Sequence, residues 1–169
     1  YGPQRVAVVL GSSTAGVHEG EAAALHHLSQ VGWPVGYHYS QQEMASPAHY
    51  TAQALGLLGP AYTISTACSS GAKALASAAR LLRAGFVDAV VCGGADALCG
   101  LTVAGFGSLQ SVSASVCNPL SANRQGINLG EGAALFLLTR DDGPVRLAGW
   151  GETSDAYHMS APDPSGRGA

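Results

Sequence analysis

Ala61-Tyr62-Thr63-Ile64-Ser65-Thr66-Ala67-Cys68-Ser69-Ser70-Gly71 is the stretch from which the fold of this chain can be read. An apolar run passes into small hydroxyl residues, and an alanine-rich segment then continues to Ala84. The spacing predicts a strand over 61–66, a helix over 69–84 and a second strand over 87–92, a βαβ unit with short connections. On the helix, Lys73, Ser77 and Arg80 share one stripe while nearly every other position is Ala or Leu, so only a narrow polar edge faces out. Gly85 supplies the stop. Val87 to Cys92 lacks polar alternation along most of its length, as a central parallel strand covered on both faces does. Cys68 therefore falls between a buried strand and a helix start. Unpaired N–H groups and the positive end of the helix dipole favour a thiolate there, which points to covalent acyl transfer. The competing reading is an inert packed thiol, because free cysteine is among the most buried residue types.

Working outward, 5–10 is a β-branched run that reads as a buried strand ending at Gly11. A helix is expected over 19–31, stopped by Gly32 and Pro34, and a second from Pro47 to about Leu58, closed by Gly59-Pro60. Neither has a charged outer face, so both are expected against other protein. Downstream, 101–109 reads as a short glycine-rich helix and 111–128 as a polar loop. Two strands are expected at 133–140 and 145–150, separated by Asp141-Asp142-Gly143-Pro144.

Composition narrows the function classes. The 169 residues suffice for one domain with a sizeable core, and 47% are hydrophobic against 11% charged. A formal charge of −3 argues against nucleic acid or an anionic membrane as partner, and no apolar run is long enough to span a bilayer. The four cysteines, at 68, 92, 99 and 117, form no C-x-x-C pair and no zinc spacing, so no metal is expected and reduced thiols in a cytoplasmic protein are the simplest reading. Cys92 and Cys99 read as structural and Cys117 as a loop residue.

Other motifs compete less well. Gly11-Ser12-Ser13-Thr14-Ala15-Gly16 imitates the glycine spacing of a phosphate loop, but Val17-His18 follows where Lys and Ser/Thr are needed. A tight strand-to-loop turn explains it better. Gly-x-Ser-x-Gly is absent around Ser69 and Ser70, against a serine hydrolase. His18, His26, His27, His38 and His49 are scattered over loops and helix faces and read as surface or satisfied histidines rather than as a base for Cys68.

Ser65-Thr66-Ala67-Cys68-Ser69-Ser70-Gly71, with the Ala-Lys-Ala-Leu-Ala-Ser-Ala-Ala-Arg that follows at 72–80, resembles the nucleophile segment of β-ketoacyl-acyl-carrier-protein synthases, condensing enzymes of the thiolase superfamily. Gly130-Glu131-Gly132-Ala133-Ala134 also matches, as does 154–162, which is similar to a segment near the active-site entrance. The loop 118–126 departs from the family pattern: Arg124 is kept, but Ser121 and Gln125 stand where acidic residues are usual.

The resemblance implies an α/β chain: a partial thiolase-like fold, with a mixed, mostly parallel sheet and helices on both faces. It implies that 1–169 is an incomplete ketosynthase domain, its opening strand and its second half with both catalytic histidines lying outside these residues. It implies that Cys68 is the nucleophile and carries an acyl chain as a thioester, without metal or redox cofactor. Ala67 and Phe106 match positions lining the acyl pocket, and His158 and Ser160 match positions along the pantetheine path. The implied partners are an acyl-carrier protein with its phosphopantetheine arm and a second copy in a homodimer. For an acidic carrier, Arg80, Arg83 and Arg124 are the available cations, each also explicable as a solvated face. Two further readings stay open: a polyketide ketosynthase, and a catalytically silent partner acting in assembly.

Overall fold

The computed structural model describes residues 1–30, 32–159 and 161–168. Strand β1 (Val6–Gly11) leads to helix α1 (Val17–Ser29) and then to helix α2 (Ser46–Ala54). Strand β2 (Ala61–Ile64), helix α3 (Ser70–Arg83) and strand β3 (Ala89–Asp96) form the anticipated βαβ unit. Helix α4 (Gly100–Ser108) and strand β4 (Gly132–Thr139) follow. The four strands pair in the order β2-β1-β3-β4. β1 is parallel to both β2 and β3, and β4 runs antiparallel to β3.

Alternation along β1 builds two cores. Ala7 and Val9 pack with Ala74, Ala78, Leu82, Val87, Val90 and Cys92 on the α3 side. Val8 and Leu10 point the other way, against Ala48 and Ala52 of α2. The sheet is thus mixed, mostly parallel, and carries helices on both faces, as expected. Alanine on α2 and α3 lets both helices lie close to the strands.

α3 ends in a Schellman motif: Gly85, at φ +71°, donates its N–H to Leu82 O, and Phe86 donates to Leu81 O. Arg5 Nη1 and Nη2 bond the carbonyls of Phe86 and Gly85, and Arg140 Nη1 bonds those of Leu82 and Val87. The negative end of the helix is thereby covered by two guanidinium groups.

The expected strand over 145–150 is not formed. Val145 is exposed, and Trp150 lies instead under two arginines of α3, its ring centroid 4.5 Å from Arg83 and 5.5 Å from Arg80. Among the described residues no strand beyond β4 offers this segment a ladder. β3 runs further than expected, through Gly93-Gly94-Ala95-Asp96, because β4 continues to pair with it down to Gly132. The first helix begins at Val17, two residues before the expected start, and Val31, its expected end, lies outside the described residues.

Candidate functional site: the Cys68 turn

β2 and α3 are joined by five residues with Cys68 among them, and Cys68 is exposed. Ala67, directly before it, sits at φ +54°, in the left-handed region that costs an alanine about 1–2 kcal/mol. Its neighbours hold it there. Ala67 O accepts the Ser70 N–H at 3.1 Å, Ser70 Oγ at 2.6 Å and Ser13 Oγ at 3.1 Å. Ser70 Oγ also accepts the Thr66 N–H at 2.8 Å, and Ser69 Oγ donates to Thr66 O at 2.8 Å. The hydroxyls flanking the cysteine thus stitch the turn together, a role sequence reasoning did not assign them. Among the described residues no side chain caps α3, so the positive end of its dipole stays uncapped beside Cys68.

The helix start can approach because β1 ends in glycine. A Cβ on Gly11 would lie 2.4 Å from Ser70 C and 2.5 Å from Gly71 N. The turn is therefore seated directly on the C-terminal end of the parallel strands, the usual ligand-bearing edge of such sheets.

Residues 11–16 show what the phosphate-loop spacing serves. Asp96, the last residue of β3, points one carboxylate oxygen into the loop. Its Oδ1 accepts Ser12 Oγ at 3.1 Å, Ser13 N–H at 2.6 Å, Thr14 N–H at 2.9 Å and Thr14 Oγ1 at 3.0 Å. Burial pushes the Asp96 carboxyl up, but these hydrogen bonds together hold it below its ordinary value. The loop amides are spent on an internal carboxylate, which leaves the nucleotide reading without its donors. Sequence offered no sign of Asp96, because its partners lie more than eighty residues away.

Two more carboxylates, also missed, fix α4. Glu21 of α1 caps it, accepting the Gly100 and Leu101 N–H groups at 2.7 Å each, and Glu131 accepts the Leu98 N–H at 3.2 Å. Phe106 is a half-buried residue of α4 and belongs to neither core cluster. His158 is exposed in the C-terminal segment, and Ser160 lies outside the described residues. The structure thus joins Ala67 and Cys68 in one turn, and no described hydrogen bond or core contact ties Phe106 to it.

The polar edge of α3 is largely occupied. Glu152 pairs with Arg80 at 2.9 Å and with Lys73 at 3.8 Å, and Ser77 Oγ bonds Tyr62 Oη at 2.7 Å. Arg124 Nη1 turns back onto Ser121 O at 3.0 Å, holding its loop without the acidic partners. Cys92 and Cys99 are buried as expected, and burial pushes the Cys92 thiol up to about 11. A cleft of about 320 Å³ lined by Leu82, Arg83, Leu138, Arg140, Val145 and Trp150 lies at the other end of α3 from Cys68. His26 Nδ1 faces Gly32 O at 3.3 Å and His27 stacks on Trp33. No described group of three or more His, Cys, Asp or Glu side chains is arranged to hold a metal, and no described helix is long and apolar enough to cross a membrane.

Comparison with known proteins gives this geometry a setting. The family described as "Beta-ketoacyl synthase, N-terminal domain" matches residues 2–143. Over 134 residues the chain is 36% identical to 3-oxoacyl-(acyl-carrier-protein) synthase 2 of Synechocystis sp., covering 70% of this chain and 32% of that protein. A solved ketosynthase (ApeO) in complex with its chain length factor (ApeC), from Xenorhabdus doucetiae, superposes with a TM-score of 0.90 at 46% identity, covering 99% of this chain and 43% of that one. A β-ketoacyl synthase from Burkholderia phymatum gives a TM-score of 0.69 at 29% identity, covering 80% of this chain and 35% of that one. The chain spans about a third of the length of the curated relatives it matches. The solved neighbours are thiolase-fold ketosynthases, and the mixed four-stranded sheet is a part of that fold.

Proposed function

Because the chain belongs to the β-ketoacyl synthase family, we propose that it provides the nucleophile-bearing part of a decarboxylative condensing enzyme. The observation that carries this reading is the exposed Cys68 in a strained turn, seated at the strand ends and beside the uncapped start of α3. In the proposed reaction, Cys68 Sγ attacks the carbonyl carbon of an acyl thioester on the pantetheine arm of an acyl-carrier protein. The carbon–sulfur bond to pantetheine breaks, and the departing thiolate takes up the proton that Cys68 gave. Malonyl-carrier protein then loses carbon dioxide, and the resulting enolate carbon attacks the acyl-Cys68 carbonyl. The 3-oxoacyl product leaves on its carrier and the Cys68 thiolate is restored. The Cys68 N–H is the oxyanion donor available here, and such donors are worth about 10²–10³ in rate.

We take 1–169 to be an incomplete ketosynthase domain within a longer polypeptide. Leu135, Phe136 and Leu137 of the edge strand β4 are all about half exposed or more, which supports further protein covering this edge of the sheet. The remaining catalytic donors, including the histidines of the family mechanism, are assigned to that further protein. Ala67 and Phe106 are proposed for the acyl pocket and His158 and Ser160 for the pantetheine path. Four free thiols support a reducing, cytoplasmic setting, and a homodimer is the proposed assembly.

One observation favours a second reading. The 46% identity is to a chain from a solved complex of a ketosynthase with its chain length factor, which supports a two-chain assembly with either an active or a silent role. Cys68 favours the active role. Incubating the full-length protein with acyl- and malonyl-carrier protein separates these outcomes. A 3-oxoacyl product from the protein alone supports the fatty-acid-type homodimer. Product only after adding a second ketosynthase-family chain supports the two-chain polyketide assembly, and if Cys68→Ala then leaves the rate unchanged the role is a silent one.

A further inference from the structure

We propose that Asp96 is a positioning residue for Cys68, acting through Ser13 and the carbonyl of Ala67. This rests on the condensing reading above. Asp96 touches no reacting atom in that scheme. Its Oδ1 gathers Ser12 Oγ, both N–H groups of Ser13 and Thr14, and Thr14 Oγ1, so the loop after β1 is fixed to the end of β3. Thr14 Oγ1 shares its single proton between Asp96 Oδ1 and Ala97 O, 3.1 Å away, and accepts the Ala97 N–H at 3.1 Å, locking the loop to the backbone that follows Asp96.

The consequence lies in the one hydroxyl that Asp96 does not take. With its N–H on Asp96, Ser13 directs Oγ to Ala67 O at 3.1 Å. The other two donors to that carbonyl, the N–H and Oγ of Ser70, come from the same turn. Ser13 is the donor that ties the turn to a separate part of the chain, 54 residues away. A left-handed alanine relaxes unless its surroundings over-determine it, and the residue whose direction it sets is Cys68. Three strand ends, those of β1, β2 and β3, thereby meet in one network whose output is the direction of the thiol.

The test uses full-length protein labelled at alanine methyl groups, with Ser13→Ala, Asp96→Ala, their combination and Ser13→Thr. Two readouts are taken: the Ala67 methyl resonance, and single-turnover acylation of Cys68 by an acyl-carrier protein. Ser13→Ala and Asp96→Ala are each expected to move the Ala67 resonance and to lower the maximal acylation rate about tenfold, with half-saturation by donor unchanged. The combination should be no slower than Asp96→Ala alone, since both cut the same path. Ser13→Thr, which keeps the hydroxyl, should restore rate and resonance. Wild-type rate and resonance in Ser13→Ala overturn the proposal, as do losses that multiply in the combination. If Asp96→Ala does not fold, Ser13→Ala, at an exposed position, decides alone. If the wild type is not acylated on Cys68 while Ala67 still moves in the variants, the positioning stands and the condensing reading fails.

Discussion

Ser70 donates its hydroxyl to the carbonyl of Ala67 at 2.6 Å and through the same oxygen accepts the N–H of Thr66 at 2.8 Å. A buried side chain, 3% exposed, thus closes the turn that presents an exposed one. Ser70→Ala takes the partner of the Thr66 N–H and one of three donors from the Ala67 carbonyl, which costs about 1 kcal/mol. Calorimetry should show an unfolding temperature lower by several degrees, accompanied by slower acylation of Cys68. Unfolding at the wild-type temperature would mean that the Ser70 hydroxyl does not hold the turn.

Gly11 lies against the backbone of Ser70 and Gly71 where α3 starts, yet the two glycines should respond in opposite ways. An alanine at 11 would drive its Cβ to 2.4 Å from the Ser70 carbonyl carbon, and relieving such overpacking costs about 1–3 kcal/mol. An added Cβ at 71 meets nothing within 4 Å. Gly71→Ala, in the first turn of α3, is expected to be neutral or to stabilise by up to about 1 kcal/mol. Urea unfolding of the two variants reads the contrast.

Acid should weaken the far end of α3. The Arg5 hydrogen bonds to Asp88, joined by that of Arg140, hold the Asp88 carboxyl at about 2. Its ordinary value is about 3.9, so the unfolded chain takes up the proton first. The contribution of this pair is complete above about pH 4 and disappears as pH falls through about 2. Asp88→Asn should therefore be less stable than wild type at pH 6, with the difference closing by about pH 2. A difference that stays constant from pH 6 to pH 2 would assign the effect to packing rather than charge.

Glu21 reaches from α1 to cap α4 at Gly100 and Leu101. Glu21→Ala should cost about 0.5–2 kcal/mol, felt first at the start of α4. Hydrogen exchange of the Gly100 and Leu101 amides should accelerate while that of β1 stays slow. Equal acceleration in both would show that Glu21 supports the whole domain.

Where apolar patterning carries the architecture, the sequence was readable. The run at 5–10, the alanine stripe of α3 and the Val87–Cys92 segment each bury what their spacing implies. Strand ends were less legible where small residues do the pairing: Gly93-Gly94-Ala95 has no hydrophobic signature, yet it continues the ladder with β4. Val145–Trp150 shows the opposite failure. Its composition suits a strand, but Trp150 gains more from Arg80 and Arg83 than from an absent neighbour. The place of Cys68 between a strand and a helix was also legible. Asp96, Glu21 and the stitching serines were not, since a carboxylate that serves backbone amides from a distant strand or helix leaves no periodic trace.

Whether Cys68 bears the acyl group is read by the intact mass of the full-length protein after incubation with an acyl-carrier-protein or acyl-CoA donor, run beside Cys68→Ala. An acyl adduct is expected on the wild type, released by hydroxylamine as a thioester is, and absent from the variant. No adduct on the wild type, or an equal adduct on Cys68→Ala, would contradict it.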